Sequence, residues 1–145
     1  MSLEQWLSNG WLVKHQTSPQ EIRNLLCVAD RDLSDCHAQG LSADWKMSIS
    51  YNAALQTAVA ALAACGFRAA RDAHHYRVIQ SLAFTLGMEP KFIAKFDKFR
   101  KKRNIGGYEQ AGLVSEQEAN EMISLAKQLR EETERWLEMN HPSLL

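Results

Sequence analysis

Apolar positions in this chain recur every three or four residues over long stretches, and that period predicts helices. Ser18-Pro19-Gln20-Glu21 reads as a helix start. Ser18 can accept from the third helical amide, Pro19 takes the first helical position, and Glu21 can reach back. Behind it Ile22, Leu25, Leu26, Ala29 and Leu33 share one face to about Gln39, and Gly40 ends the run. Ser42 opens a second helix, from about Ala43 to Cys65, with Trp45, Ile49, Ala53, Leu55, Ala58, Val59 and Leu62 as its stripe and Gly66 as its stop. Alanines on both sides of that stripe let neighbouring helices approach closely, which places this helix at the centre. A third stretch covers roughly Ala69 to Leu86, with room for a break near Asp72, and Gly87 ends it. Glu89-Pro90 opens a fourth, whose Phe92, Ile93, Phe96 and Phe99 face inward until it runs out near Asn104, ahead of Gly106-Gly107. Ser115 and Glu118 make a second capping box, and the last helix carries Ala119, Met122, Ile123, Ala126, Leu129, Trp136 and Leu137 to about Met139. Nothing alternates with period two for long enough to predict a strand. Five helices with short connections predict an all-α, antiparallel up-and-down helical bundle, one domain over residues 1–145.

Composition agrees with a folded domain. Apolar residues make up 46% of the chain and charged ones 23%, too apolar for disorder. Seventeen basic and seventeen acidic residues cancel, so a nucleic-acid partner has to be argued from local clustering. The longest apolar run, Ala58 to Cys65, is short and rich in alanine, which suits a buried helix and not a membrane span. The N-terminal MSLEQWLSNG lacks the basic start and apolar run of a secretory signal. Cys27, Cys36 and Cys65 form no CxxC pair, against a disulfide framework or zinc ribbon. The expectation is a soluble cytoplasmic protein with reduced thiols and no membrane partner. Trp6, Trp11, Trp45 and Trp136 are read as packing residues, the first two closing one end of the bundle or a dimer.

Chemistry concentrates near residue 100. Between Lys91 and Arg103 stand seven basic residues and one acid, Asp97. On a helix, Lys91, Lys95, Lys98 and Lys102 share an outer face, which by itself is an ordinary solvated face with cations near a helix C-terminus. Arg100-Lys101-Lys102-Arg103 then puts four cations into the last turn, followed by Asn104, Gly106-Gly107 and Tyr108. A guanidinium forks onto phosphate oxygens, an asparagine donates and accepts beside it, and glycines let a ligand approach the backbone. Such a segment suits a phosphate-bearing partner.

The order Arg103-Asn104, three residues, then Tyr108, at the end of a bundle helix and before a long final helix, resembles the signature of the HEPN (higher eukaryotes and prokaryotes nucleotide-binding) superfamily. Its motif is an Arg, four to six residues of which the first is commonly Asn, and then a His. Tyr51-Asn52-Ala53-Ala54-Leu55 and His74-His75-Tyr76-Arg77 also resemble a bacterial subgroup of small stand-alone HEPN proteins, so the likeness covers most of the chain from Ser18 onward. The resemblance implies a helical bundle that forms a homodimer and joins two motifs at one cleft. It implies RNA or a nucleotide as ligand, no cofactor, metal-independent ribonuclease chemistry in many members, and a minimal nucleotidyltransferase antitoxin as partner. In that chemistry the Arg steadies the scissile phosphate, the His moves a proton, and the 2′-hydroxyl attacks to leave a cyclic phosphate. Carried over by position, Arg103, Asn104 and Tyr108 become the catalytic candidates. Arg100, Lys101 and Lys102 become phosphate-binding candidates, and Tyr51, Asn52, His74 and His75 supporting groups.

The family's histidine position holds Tyr108. A phenol with a pKa of about 10 stays protonated at neutral pH, whereas an imidazole near about 6.5 exchanges protons freely. Tyr108 could donate to a leaving oxygen or bind phosphate, and it is a poor base. His74-His75 could supply the imidazole if it faced the same cleft; the plainer alternative has one ring packed against a helix and the other in solvent. Asn52, mid-helix among alanines, is either an interhelical polar contact or a support for Arg103. Cys36-His37 with His74-His75 fits no zinc-ligand spacing. Three functions follow: a toxin-like RNA-directed HEPN protein, a non-catalytic HEPN-like binding module, and a helical scaffold whose basic face meets an acidic protein.

Overall fold

A computed structural model describes residues 1–108 and 112–145, with the side chains of 104–108 excepted. The described chain is an all-α bundle of six helices with one small antiparallel ribbon. The helices are α1 (Leu3–Ser8), α2 (Pro19–Asp35), α3 (Ala43–Ala64), α4 (His74–Ser81), α5 (Pro90–Tyr108) and α6 (Glu116–Asn140). The five predicted helices are α2 to α6, and α1 is a short addition. None of the described helices is long and apolar enough to cross a membrane.

The starts follow local chemistry. Ser18, Ser42 and Ser115 each accept from the amide three residues on, at 3.1, 3.2 and 3.0 Å. At Ser115 the box closes, because the Glu118 carboxylate accepts from the Ser115 amide at 3.1 Å. That backbone hydrogen bond, with Lys102 nearby, holds the Glu118 pKa below its ordinary value. Glu21 does not reach back as predicted. Its Oε1 accepts from Thr17 Oγ1 and pairs with His15 Nε2, both at 2.7 Å, and those bonds depress its pKa.

Helix α3 occupies the centre, with α2, α4, α5, α6 and the ribbon packed around it. Ala53, Ala54, Ala58, Ala60, Ala61 and Ala63 are all buried, so several neighbours can close in on one axis. Buried hydroxyls on it turn back to their own helix: Ser50 donates to the Lys46 carbonyl at 2.6 Å and Thr57 to the Ala53 carbonyl at 2.8 Å. Trp45 departs from expectation. It lies in the first turn of α3 on the face turned to solvent and is 63% exposed, while its neighbours Asp44 and Lys46 bond Gly112 and Glu116. Trp6 is buried, and Trp11 and Trp136 are half-buried.

Strand β1 (Leu12–Lys14) pairs with β2 (Phe67–Ala69), Leu12 opposite Ala69 and Lys14 opposite Phe67. Three residues per strand are too few for a period of two to show in the sequence. Gly66 makes the turn from α3 into β2 at φ +93°, a conformation that a side chain disfavours. Of the third predicted stretch, Ala69 belongs to the ribbon, residues 70–73 form a bend and turn at the break expected near Asp72, and α4 covers only His74–Ser81, with turns from there to Leu86. It also brings Trp11 beside α4, where the Arg77 guanidinium lies 3.7 Å from the Trp11 ring centre.

Candidate phosphate-binding site

Three helices converge at the basic end of α5. Phe96 and Phe99 are buried and fix the roll of α5 against the bundle, leaving Lys91, Lys95 and Lys98 exposed. The edge of Phe96 meets Tyr51 of α3 at 5.7 Å between ring centres. Tyr51 is fully buried, yet its hydroxyl reaches Nδ1 of His75 on α4 at 3.2 Å. The guanidinium of Arg103 stands 5.1 Å from the centre of the same Tyr51 ring, a cation over an aromatic face. One buried phenol from the central helix thus joins an imidazole and a guanidinium from two others.

The four cations of the last basic turn are not equivalent. Arg100 Nε donates to Asp97 Oδ1 at 2.7 Å, and the Arg100 guanidinium lies over the Tyr76 ring at 5.6 Å. Lys101 pairs with the other oxygen of Asp97 at 3.7 Å. Lys102 reaches across to Glu118 of α6 at 3.6 Å, as Lys95 does to Glu121 at 3.7 Å. Arg103 is half-buried and has no carboxylate partner among the described residues. A half-buried guanidinium that meets no carboxylate among the described residues is well placed to receive an anion.

Electrostatics at the cluster follow from this packing. Burial pushes the Tyr51 pKa up to about 12, against the pull of Arg103 and Arg100, so the phenol keeps its proton. Burial, then repulsion from Arg103, His74 and Arg100, holds His75 below the ordinary imidazole value. Its ring is neutral at neutral pH.

The other predicted residues divide. Asn52 donates to Asp32 Oδ2 on α2 at 2.7 Å and accepts from Gln56 at 3.2 Å, so of the two readings it is the interhelical contact. His74 lines a cavity of about 190 Å³ with His15, Glu21, Phe67 and Val78. The side chains of Asn104 and Tyr108, and Glu109 entirely, lie outside the described residues. The backbone of α5 continues to Tyr108 and does not stop near Asn104, so Gly106-Gly107 is carried within the helix. Two participants, Asp97 and Tyr76, stand in the segments singled out in the sequence but were not among its site candidates. Asp97 was legible: an acid three and four residues before Arg100 and Lys101 shares their helix face. Tyr76 had no comparable signal.

No family model, curated protein or solved structure matches this chain. Function has to be argued from the site itself.

Proposed function

We propose that this is a HEPN-like protein that binds phosphate groups of RNA or a nucleotide at the end of α5, with Arg103 as the anion-receiving group. The observation that carries the reading is the contrast within one basic turn. Arg100, Lys101 and Lys102 face carboxylates, while Arg103 rests on a buried tyrosine beside a neutral imidazole and faces no carboxylate among the described residues. A guanidinium held at that orientation offers several N–H groups to phosphate oxygens with little side-chain entropy left to lose. The motif resemblance adds the ligand class, the homodimer and a nucleotidyltransferase antitoxin as cytoplasmic partner.

The test compares wild type with Arg103→Ala on labelled single-stranded RNA, reading binding and cleavage together. A charge-assisted hydrogen bond contributes roughly 1.5–3 kcal/mol, so the variant should bind at least about tenfold more weakly. Equal binding by the two proteins would remove the reading. If it binds RNA, cleavage separates the toxin-like ribonuclease from a non-catalytic module. The tyrosine at position 108 favours the module, since a phenol of ordinary pKa is a poor base. On that reading Tyr108→His gives an inert protein cleavage activity, and robust cleavage by the native chain excludes it.

A further inference from the structure

We infer that a phosphate seated at Arg103 also takes His75 as a ligand, and that the imidazole gains a proton as the phosphate arrives. This rests on the phosphate reading above and goes further, making the site proton-coupled and adding a residue from α4 that lies outside the basic run. The geometry starts at Tyr51. Its hydroxyl is held in the core and meets Nδ1 of His75 at 3.2 Å, the hydrogen-bond partner it has among the described residues. A buried phenol that keeps its proton donates it where it can, so Nδ1 accepts and Nε2 carries the ring hydrogen. Nε2 is therefore the atom His75 presents beyond Tyr51. Arg103 lies against that same tyrosine ring and is the largest influence on His75 after burial itself.

The charges around His75 come from three elements. Helix α3 contributes Tyr51, and α5 contributes Arg103 and Arg100, the latter tied to Asp97. Its own helix adds His74, with ring centres 5.9 Å apart, and Tyr76. Strand β2 and α2 bring Arg68 and Glu21, of opposite sign, to the cavity that His74 lines, and neither is among the charges acting on His75. Cations outnumber anions in this set, so the free protein disfavours a second positive charge on the ring. A phosphate against Arg103 cancels much of that repulsion and adds a negative charge that favours imidazolium. Protonated Nε2 then donates a charge-assisted hydrogen bond to a phosphate oxygen. Nδ1–H donates to the Tyr51 oxygen, which accepts as readily as it donates. Binding and protonation strengthen each other by the same factor.

The sign follows. Affinity is lowest at high pH, rises as pH falls through the imidazole pKa of the complex, and levels off below that of the free protein. Each unit separating the two values is about tenfold in affinity. The probe is a 2′-O-methylated oligouridylate, which keeps its phosphodiesters, cannot be cut by its own 2′-oxygen and holds its charge across the range. Imidazole resonances of the wild-type chain are titrated by NMR with and without it, from about pH 8 to about pH 5. The His75 midpoint should rise by about one unit on binding. Affinity should be about tenfold tighter at the acid end, and His75→Gln should flatten that dependence. If that variant does not fold, the wild-type titration decides by itself. A His75 midpoint that stays put, while Arg103→Ala still loses binding, overturns this inference and leaves the phosphate reading standing. Failure of the wild type to bind the oligouridylate removes both.

Discussion

Ala73 adopts φ 53°, the left-handed region, and is the one non-glycine residue to do so among those described. There its Cβ crowds the following carbonyl at a cost of about 1–2 kcal/mol. The bend lets α4 begin at His74 without any side-chain cap, and so turns His75 towards Tyr51. Glycine at this position relieves the crowding but gives the unfolded chain more freedom. Ala73→Gly should therefore raise the unfolding free energy by about 0.5–1 kcal/mol, read as a higher urea midpoint at unchanged slope. A second prediction concerns acid. His75 has a folded-state pKa below that of an unfolded imidazole, because burial and then Arg103 oppose its charge. Its contribution to stability is present above the unfolded pKa of about 6.5 and is lost as pH falls towards the folded value. Urea unfolding between about pH 7.5 and about pH 5 should show His75→Gln losing less stability on acidification than wild type. Equal losses would mean that the ring is already solvated.

Among the elements, α3 is the one whose sequence and role agree most closely. Its alanines predicted a central helix, and the structure packs α2, α4, α5 and α6 around it with Ala58 fully buried. Ala58→Leu adds three carbons where no space is left, and should destabilise the fold by about 1–3 kcal/mol in chemical denaturation, while its surface counterpart Ala94→Leu changes little. Features set by chemistry within one turn, such as the serine caps and the stop at Gly66, could be read from the chain. Features set by distant partners could not. The ribbon depends on pairing Leu12 with Ala69 across fifty-odd residues, and the third helix is shorter than predicted at both ends, His74 to Ser81. Trp45 looked like core because it falls in register with Ile49 and Ala53, but at this turn of α3 the buried side belongs to Met47, and Trp45 faces solvent. Gly106-Gly107 looked like a stop because glycine weakens helices, a penalty of about 1 kcal/mol per residue that a helix already anchored by Phe96 and Phe99 can absorb.

At the scale of the whole molecule, charge is balanced in total and also paired in place. Lys95 and Lys102 clasp the acidic face of α6, Arg100 and Lys101 share Asp97, and Arg130 joins Asp30 of α2 through two bonds of 2.9 and 3.1 Å. The sequence displayed a run of seven cations, and among the described residues folding pairs four of them with carboxylates. Which cation of the last basic turn is left without a described carboxylate depends on contacts between α3, α4, α5 and α6 that no local spacing encodes. This makes the salt dependence of RNA binding diagnostic. Each phosphate neutralised on a single strand releases counterions worth a slope of about −0.7 in log affinity against log salt. If Arg103 and a protonated His75 make the phosphate contacts, the slope for the oligouridylate should lie between about −0.7 and about −1.4 per site at acid pH. It should fall to the smaller value near about pH 8, where His75 is neutral. If all four cations of the turn engaged the strand, the slope would approach about −2.8 and Lys102 would have to abandon Glu118. Titrations between about 50 and 200 mM salt separate these cases, and Glu118→Gln sharpens the comparison. Freed of its carboxylate, Lys102 could then reach a phosphate, steepening the slope of that variant alone while Arg103→Ala still abolishes binding.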